Sequence, residues 1–320
     1  MPCEHMMPRY LEKKNRWTHV SCGNCTSCRI SRMQEWKLRL LMEQQYNDDS
    51  CFITLTYDNE HLVHLPDSKQ SVITSKGEIL RKSLDFDDLS KFWKRLREDL
   101  DHPIKFYACG EYGDQVNYPS AYRPHFHAIL YGLGVNSQTR DLLKDNWRFC
   151  DSYRFDGVKA GLAYAEADSM LYVSSYVRKK LVGKLGKQEY QDKGLIPPDS
   201  RSSQGIAYQW YLDNREQVLK DLHVTFQGRV YPVPRYFVKK DEKLKEKLED
   251  SALRYKFRKL EEYGYSVPEI LAFASSRCLD EMVKFPYGEA EFDRSAHQAN
   301  LNIETKLQLF KQNNILEVAL

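Results

Sequence analysis

The chain lacks any long apolar run. No stretch of its 320 residues approaches the roughly 18 consecutive apolar residues of a membrane-spanning helix, so the sequence predicts no membrane span. Residues 1–16 are polar and charged, unlike a secretory signal. We therefore expect a cytoplasmic protein whose thiols stay reduced.

Neither positive nor negative charge is in large excess. The net charge is only +3, less than a protein that coats DNA without specificity would carry. No Gly-x-x-x-x-Gly-Lys motif is present, which argues against a fused helicase, and no internal repeat is evident. The hydrophobic content of 42% and the 21 tyrosines nevertheless indicate a folded protein.

Two histidines stand two residues apart in a short apolar segment. The run Arg-Pro-His-Phe-His-Ala-Ile-Leu-Tyr, residues 123–131, is β-prone and predicts a strand. Because side chains alternate along a strand, His125 and His127 point to one face and Phe126 to the other. This arrangement favours a divalent-metal site, although a packed or hydrogen-bonded histidine pair is the plainer alternative.

A third metal ligand is needed, because Mg²⁺ and Mn²⁺ prefer oxygen ligands alongside imidazole. Glu111 ends a predicted strand that precedes the histidines. An adjacent antiparallel strand would bring Glu111 beside His125, so we expect Glu111 to complete the site. Asp114 is the fallback.

Two tyrosines occur later, in a segment with helical spacing. Tyr172 and Tyr176 are four residues apart and share a helix face. A phenol with a pKa near ~10 is about one part in a thousand phenolate at neutral pH, which opposes its attack by roughly 4 kcal/mol. Lys179, one turn after Tyr176, favours the phenolate. The basic residues expected to contact DNA phosphates are Arg178, Lys180 and Lys184.

A metal beside a tyrosine suits attack on a phosphodiester. The cation polarises the non-bridging phosphate oxygens, and the phenol supplies the nucleophile. Aromatic residues of a core or an interface are the plainer interpretation of the tyrosine pair.

Four of the eight cysteines lie near the start of the chain. Cys22, Cys25 and Cys28 follow a Cys-x-x-Cys-x-x-Cys pattern, and Cys3 offers a fourth thiolate. One tetrahedral zinc would tie the N-terminus to the helix that begins near Arg29. The spacing departs from the usual paired arrangement, so free thiols and an iron–sulfur cluster stay open as alternatives.

The order of these motifs resembles that of the HUH endonucleases, which are named for their His-hydrophobic-His strand. Residues 52–57, Phe-Ile-Thr-Leu-Thr-Tyr, resemble the first conserved strand of rolling-circle replication initiators. Finer features resemble the initiators of small single-stranded DNA phages, the microviruses of gokushovirus type. They lie at residues 22–29, 110–113 and 232–236.

The resemblance implies a site-specific endonuclease that nicks and joins single-stranded DNA at a replication origin. It implies a 5′-phosphotyrosine intermediate on Tyr172 and Tyr176, with Tyr176 beside Lys179 favoured for the first attack. It further implies Mg²⁺ or Mn²⁺ at the histidine pair and Glu111. The implied partners are origin DNA and the host replication helicase and polymerase, in the host bacterial cytoplasm.

Strands interleaved with helices predict an α+β fold, a central antiparallel sheet with helices on one face, as the resemblance also implies. We expect a cysteine-rich segment over 1–35, an endonuclease core over 36–205 and a mainly helical accessory region over 206–320. The predicted strands are 51–57, 105–111 and 123–131, and the principal predicted helices are 27–45, 85–100, 168–181, 206–221 and 242–263.

Two other functions stay open. A relaxase or a transposase would use the same chemistry at a transfer origin or at an element end. A non-catalytic, zinc-dependent nucleic-acid-binding protein would depend on the cysteines, and its activity would survive substitution of His125. Thr54 and Thr56 are interpreted as ordinary strand residues.

Overall fold

A computed structural model describes most of the chain up to residue 268. The described residues are 3, 5–11, 16–58, 61, 72–73, 79–80, 83–113, 123–150, 161–179, 186, 188, 190 and 195–268. In chain order the elements are β1 (Met7–Leu11), β2 (Arg16–Val20), α1 (Thr26–Gln44), β3 (Ser50–Thr56), β4 (Val72–Ile73), β5 (Ile79–Leu80), α2 (Phe86–Glu98), β6 (Lys105–Tyr112), β7 (Pro124–Tyr131), α3 (Ser137–Asn146), β8 (Leu162–Tyr164), α4 (Ala167–Lys179), β9 (Ser200–Ser202), α5 (Tyr208–Asp221), β10 (Val224–Phe226), β11 (Arg229–Tyr231), α6 (Arg235–Lys240) and α7 (Glu242–Glu262).

The fold is α+β, as predicted, and its centre is a five-stranded antiparallel sheet. The strand order is β8-β3-β7-β6-β9, so the histidine strand β7 is hydrogen-bonded on both sides. The predicted strand and helix boundaries in this region agree with the observed ones within a few residues. The edge strands β8 and β9 were not predicted.

The sheet carries helices on both faces, which corrects the expectation of one covered face. Phe126 on β7 meets Phe86 of α2 and Trp147 at the end of α3, with ring centroids 5.4 and 6.1 Å apart. On the opposite face, the Tyr131 hydroxyl donates to the Leu40 carbonyl of α1 at 2.7 Å. The α4 helix also packs on that second face, so both sides of β7 are buried.

The α2 helix shows how the sequence forms the core. Asp85 caps its N-terminus by accepting from the backbone N–H groups of Asp87 and Asp88. Apolar residues recur at helical spacing, and each contributes roughly 1.5–3 kcal/mol when fully buried. The buried face consists of Leu89, Phe92, Trp93 and Leu96.

Two charged residues of α1 hold the chain just before α5. Arg39 donates to the Ile206 carbonyl at 3.1 Å, and the Ala207 N–H donates to Glu43 at 2.6 Å. Ala207 has a φ of 63°, which is costly for a residue with a side chain. Glu43 is also paired with Lys105 at 2.7 Å, so its buried carboxylate is compensated.

The chain divides into two compact units. Among the described residues, one runs from Met33 to Gln209, and the other combines the residues up to Arg32 with residues 210–268. The N-terminal hairpin of β1 and β2 was not predicted, because its sequence is polar and charged. Within the described residues, no helix is both long enough and apolar enough to cross a membrane.

Candidate active site

The pairing of β6 with β7 places Glu111 directly opposite His125. Glu111 Oε2 lies 3.3 Å from His125 Nε2 and 3.6 Å from His127 Nε2. One ligand atom from each of the three residues lies within 4.8 Å of the other two. The structure therefore brings together the three residues that the sequence predicted as metal ligands.

The second nitrogen of each imidazole has its own contact. His125 Nδ1 lies 3.0 Å from the Arg123 carbonyl oxygen, which only accepts, so Nδ1 is the donor in this contact and Nε2 faces Glu111. His127 Nδ1 lies 3.0 Å from the Thr54 hydroxyl, which register places opposite His127 on β3. Such contacts orient histidine ligands and fix their tautomer.

Thr54 lies in a strand, as predicted, but its contact with His127 was not anticipated. The alternation of residues along β3 was visible in the sequence, but its register with β7 was not. The carbonyl of Arg123 was missed for a different reason, because a backbone acceptor leaves no signal in residue type.

The donor set fits a divalent cation. His127 is buried, and the side chains of Glu111 and His125 are 18% and 16% exposed. A largely buried carboxylate facing two imidazole nitrogens requires a compensating charge. One carboxylate and two imidazoles suit Mg²⁺ or Mn²⁺, and three protein ligands leave positions for oxygens of a substrate.

Both predicted tyrosines lie beside His127. The ring of Tyr172 is 5.2 Å from the His127 ring and nearly perpendicular to it, and the ring of Tyr176 is 5.8 Å away and stacked. The two phenol rings are 5.0 Å apart. Spacing on α4 thus places two candidate nucleophiles next to one candidate metal ligand.

The two tyrosines differ in how deeply they are buried. Tyr176 is 5% exposed, whereas Tyr172 is half-buried. Burial raises the pKa of Tyr176, and the negative charge of Glu111 raises it further. Tyr176 is therefore a neutral phenol when no cation is bound.

Phe52 is a further residue of the site that the sequence did not single out. Its ring stacks on His127 at 5.4 Å and meets the edge of Tyr172 at 6.3 Å. Phe52 is buried and packs beside both rings, so it limits their movement.

Gly110, the residue before Glu111 on β6, leaves no space for a side chain. Gly110 lies opposite Phe126 in the ladder. A Cβ at Gly110 would lie 2.9 Å from Leu84 Cδ1 and 3.2 Å from Phe86 Cζ. The absent side chain lets these residues pack directly against β6.

Several predicted site residues lie in parts of the chain that the structure does not describe. Asp114, Lys180 and Lys184 lie outside the described residues, as do the side chains of Arg178 and Lys179. Their proposed roles as fallback ligand, phenolate partner and DNA contacts stay predictions. The four N-terminal cysteines are described, and their sulfur atoms lie together.

Comparison with known proteins finds similarity over the residues of this site. Residues 50–181, which include all five residues of the histidine, glutamate and tyrosine cluster, match the family described as replication-associated protein ORF2/G2P. The chain is 28% identical over 277 residues to the replication-associated protein ORF2 of Spiroplasma virus 4, covering 78% of this chain and 80% of that protein.

Two further phage proteins are similar over a smaller share of their length. The replication-associated protein ORF4 of Chlamydia phage 1 is 29% identical over 232 residues, or 68% of this chain and 52% of that protein. The replication-associated protein VP4 of Bdellovibrio phage phiMH2K is 29% identical over 238 residues, or 68% and 65%. No solved structure matches. The predicted resemblance to microvirus replication proteins is confirmed.

Proposed function

We propose that this chain, whose residues 50–181 match the family described as replication-associated protein ORF2/G2P, initiates replication of a single-stranded DNA phage genome by nicking and rejoining DNA. The observation that carries the proposal is the meeting of a three-ligand cluster with two tyrosines. Glu111, His125 and His127 converge, and Tyr172 and Tyr176 both contact the His127 ring.

The reaction we propose is a transesterification. A tyrosine hydroxyl loses its proton and its oxygen forms a bond to the phosphorus, the bond from phosphorus to the 3′ oxygen breaks, and the leaving oxygen takes up a proton and becomes a 3′ hydroxyl. The 5′ phosphate stays on the tyrosine. One phosphodiester replaces another, so the step needs no ATP, in agreement with the absence of a phosphate-cradling glycine motif.

The protein residues have distinct tasks in this step. Glu111 and the two histidines would hold a divalent cation, which would polarise the non-bridging oxygens of the phosphate and supply several kcal/mol of transition-state stabilisation. The Arg123 carbonyl and the Thr54 hydroxyl orient the imidazoles. Packing of Phe52 against His127 and Tyr172 keeps the nucleophile near the ligands.

Two tyrosines permit a complete cycle. The first cleaves the origin and holds the 5′ end, and the second attacks the regenerated origin after one round. The 3′ hydroxyl released by that second cleavage then attacks the first phosphotyrosine and closes a circle. Tyr172 is the more exposed, so we propose that it attacks first, in contrast to the expectation based on Lys179.

The 3′ hydroxyl left by cleavage is a primer terminus. We propose that the host polymerase extends it and that a host helicase opens the duplex, because the chain carries no nucleoside-triphosphate motif of its own. A relaxase or a transposase would share the chemistry but would cleave a different DNA sequence.

The test is incubation of the protein with end-labelled single-stranded DNA from the phage origin. With Mn²⁺ or Mg²⁺, a denaturing gel should show a shortened strand and a slowly migrating protein–DNA adduct, and a polymerase should extend the shortened strand. The double variant Tyr172→Phe/Tyr176→Phe should form no adduct. An adduct that persists in the double variant and maps to another residue would overturn the proposal.

A further inference from the structure

A second ligand cluster lies in the N-terminal residues. Cys3 precedes β1 and Cys22 follows β2, and the antiparallel pairing of these strands brings the two cysteines together. Cys25 immediately precedes α1, and Cys28 lies in its first turn. The four sulfur atoms all lie within 4.8 Å of one another.

The spacing of the sulfur atoms matches tetrahedral coordination. The Cys25 and Cys3 sulfurs are 3.8 Å apart. Zinc–sulfur bonds of about 2.3 Å in a regular tetrahedron place neighbouring sulfurs about 3.8 Å apart. A disulfide would require about 2.05 Å, and all four are free thiols. Four sulfurs this close enclose a single ion and leave no room for an iron–sulfur cluster.

Backbone amides support negative charge on two of the sulfurs. The Cys22 N–H donates to the Cys3 sulfur at 3.3 Å. The N–H groups of Asn24 and Cys25 donate to the Cys22 sulfur at 3.4 and 3.3 Å. Hydrogen bonds of this kind stabilise thiolates, which are the metal-binding form of cysteine.

The hairpin that these cysteines flank needs additional support. Its strands β1 and β2 form a two-stranded sheet of their own, separate from the central sheet. An isolated two-stranded hairpin is marginally stable in water. Small units of this kind are commonly held by a disulfide or by a structural metal.

We propose that Cys3, Cys22, Cys25 and Cys28 bind one structural zinc ion, which fastens both ends of the N-terminal hairpin to the start of α1. Four thiolate ligands fill a tetrahedral shell and leave no open position for a substrate, so the site is structural rather than catalytic. The site is independent of the proposed nicking chemistry.

The first test is elemental analysis of protein purified without chelators. Wild type should contain about one zinc per chain, and Cys25→Ser should lose it. Two matched controls should keep it: His127→Ala, which removes a ligand of the other cluster, and Cys150→Ala, which removes a half-buried thiol outside the cluster. Zinc that is absent from wild type, or that is lost with His127 and kept without Cys25, would overturn the proposal.

The second test replaces zinc with Co²⁺, whose spectrum reports its ligands. Intense thiolate-to-cobalt charge-transfer bands and the visible bands of tetrahedral cobalt should appear in wild type and in Cys150→Ala. They should be weakened or lost in Cys25→Ser. A spectrum without thiolate bands in wild type would contradict the assignment of the four sulfurs.

The structural role has its own readout in hydrogen exchange on the full chain. Removing zinc with a chelator should speed exchange of the β1 and β2 amides, while the β3 and β7 amides stay protected. Cys25→Ser should behave like the stripped protein. Equal protection of the hairpin with and without zinc would show that the ion does not hold it.

Discussion

The two compact units of this chain are held together in different ways. The unit from Met33 to Gln209 contains a five-stranded sheet and one large apolar cluster that packs between the sheet and its helices. The other unit has fewer buried apolar residues in the described part from Trp210 onward, on three helices and one small hairpin. It relies in addition on local polar clusters, of which the cysteines are one.

A second polar cluster in that unit centres on Asp241. Its carboxylate caps α7 by accepting from the Leu244 N–H, and it also accepts from the Tyr211 hydroxyl and from Arg215 Nε. Asp241 is 8% exposed, so each of these donors helps to compensate a buried charge. This cluster joins α5 to the start of α7.

The two units differ in how they fix the positions of their polar side chains. The sheet positions Glu111, His125 and Thr54 through backbone pairing between strands that are distant in sequence. The cysteine and Asp241 clusters depend on loops, helix ends and short spacings. We therefore expect damage to the first kind of site to abolish chemistry, and damage to the second kind to reduce stability.

The largest effect is expected from His127→Ala. Loss of one of three ligands should remove most of the several kcal/mol that the cation supplies, so cleavage of origin DNA should fall by more than about a hundredfold. The measurement is the initial nicking rate at a fixed Mn²⁺ concentration. His102→Ala, which removes an exposed histidine paired with Asp101, is the matched control. Full cleavage by His127→Ala, or by wild type in EDTA, would show that cleavage does not depend on a metal at this site.

The tyrosine pair is the next test. Tyr172→Phe should slow the first cleavage more than Tyr176→Phe, because Tyr172 is the more exposed phenol. Each single variant should retain an adduct through the remaining tyrosine but should fail to close circles. Tyr164→Phe, at a tyrosine that is 69% exposed on β8, should behave as wild type. Normal circle formation by either single variant would show that two tyrosines are not required.

The effect of Thr54→Val on nicking should be smaller and should depend on the metal concentration. Loss of the hydroxyl beside His127 Nδ1 removes the group that orients this ligand, so metal affinity should fall by about 10- to 100-fold. Titration of the nicking rate with Mn²⁺ should show a shifted midpoint and recovery at high metal. Thr54→Ser should retain wild-type affinity, and Thr56→Val is the isosteric control. An unchanged midpoint would mean that the Thr54 contact does not position His127.

Asp241→Asn should change stability and leave nicking at neutral pH unaffected. Although burial acts in the opposite direction, the hydrogen bonds from Arg215 and Tyr211 lower the pKa of Asp241 to about 2. Against an unfolded value of about 3.9, this shift corresponds to roughly 2–3 kcal/mol. The folded pKa is the lower one, so this stability is present above about pH 4 and is lost as the pH falls toward 2.

The measurement for Asp241 is urea unfolding of wild type and variant at several pH values. The difference between them should shrink as the pH falls below about 4. Asp250→Asn, at an exposed residue paired with Arg254 on α7, should cost less than about 0.5 kcal/mol. A difference that does not change with pH would show that the Asp241 charge is not what stabilises this unit.

The sequence predicted the candidate site more fully than it predicted the packing around it. Alternation along β7 and the four-residue spacing on α4 depend only on local periodicity, so His125, His127, Tyr172 and Tyr176 were found directly. Pairing of adjacent strands then led to Glu111. These inferences needed no knowledge of which residues of distant strands lie opposite each other.

The features that were missed depend on tertiary pairing. The contact of Thr54 with His127 requires the register between β3 and β7, and β9 has only three residues, too few to show alternation. The sequence also contains a signal that β7 is covered on its second face. Residues 128–131 are apolar without interruption, which is typical of a strand buried on both sides.

The position of β7 inside the ladder restricts which changes of length the protein can tolerate during evolution. Because strand residues alternate with a period of two, one inserted residue between Phe126 and Tyr131 would send one end of the strand to the wrong face. An insertion before His125 but inside the pairing would likewise move it away from Glu111. We therefore expect insertions and deletions among relatives to be confined to the connections between these strands.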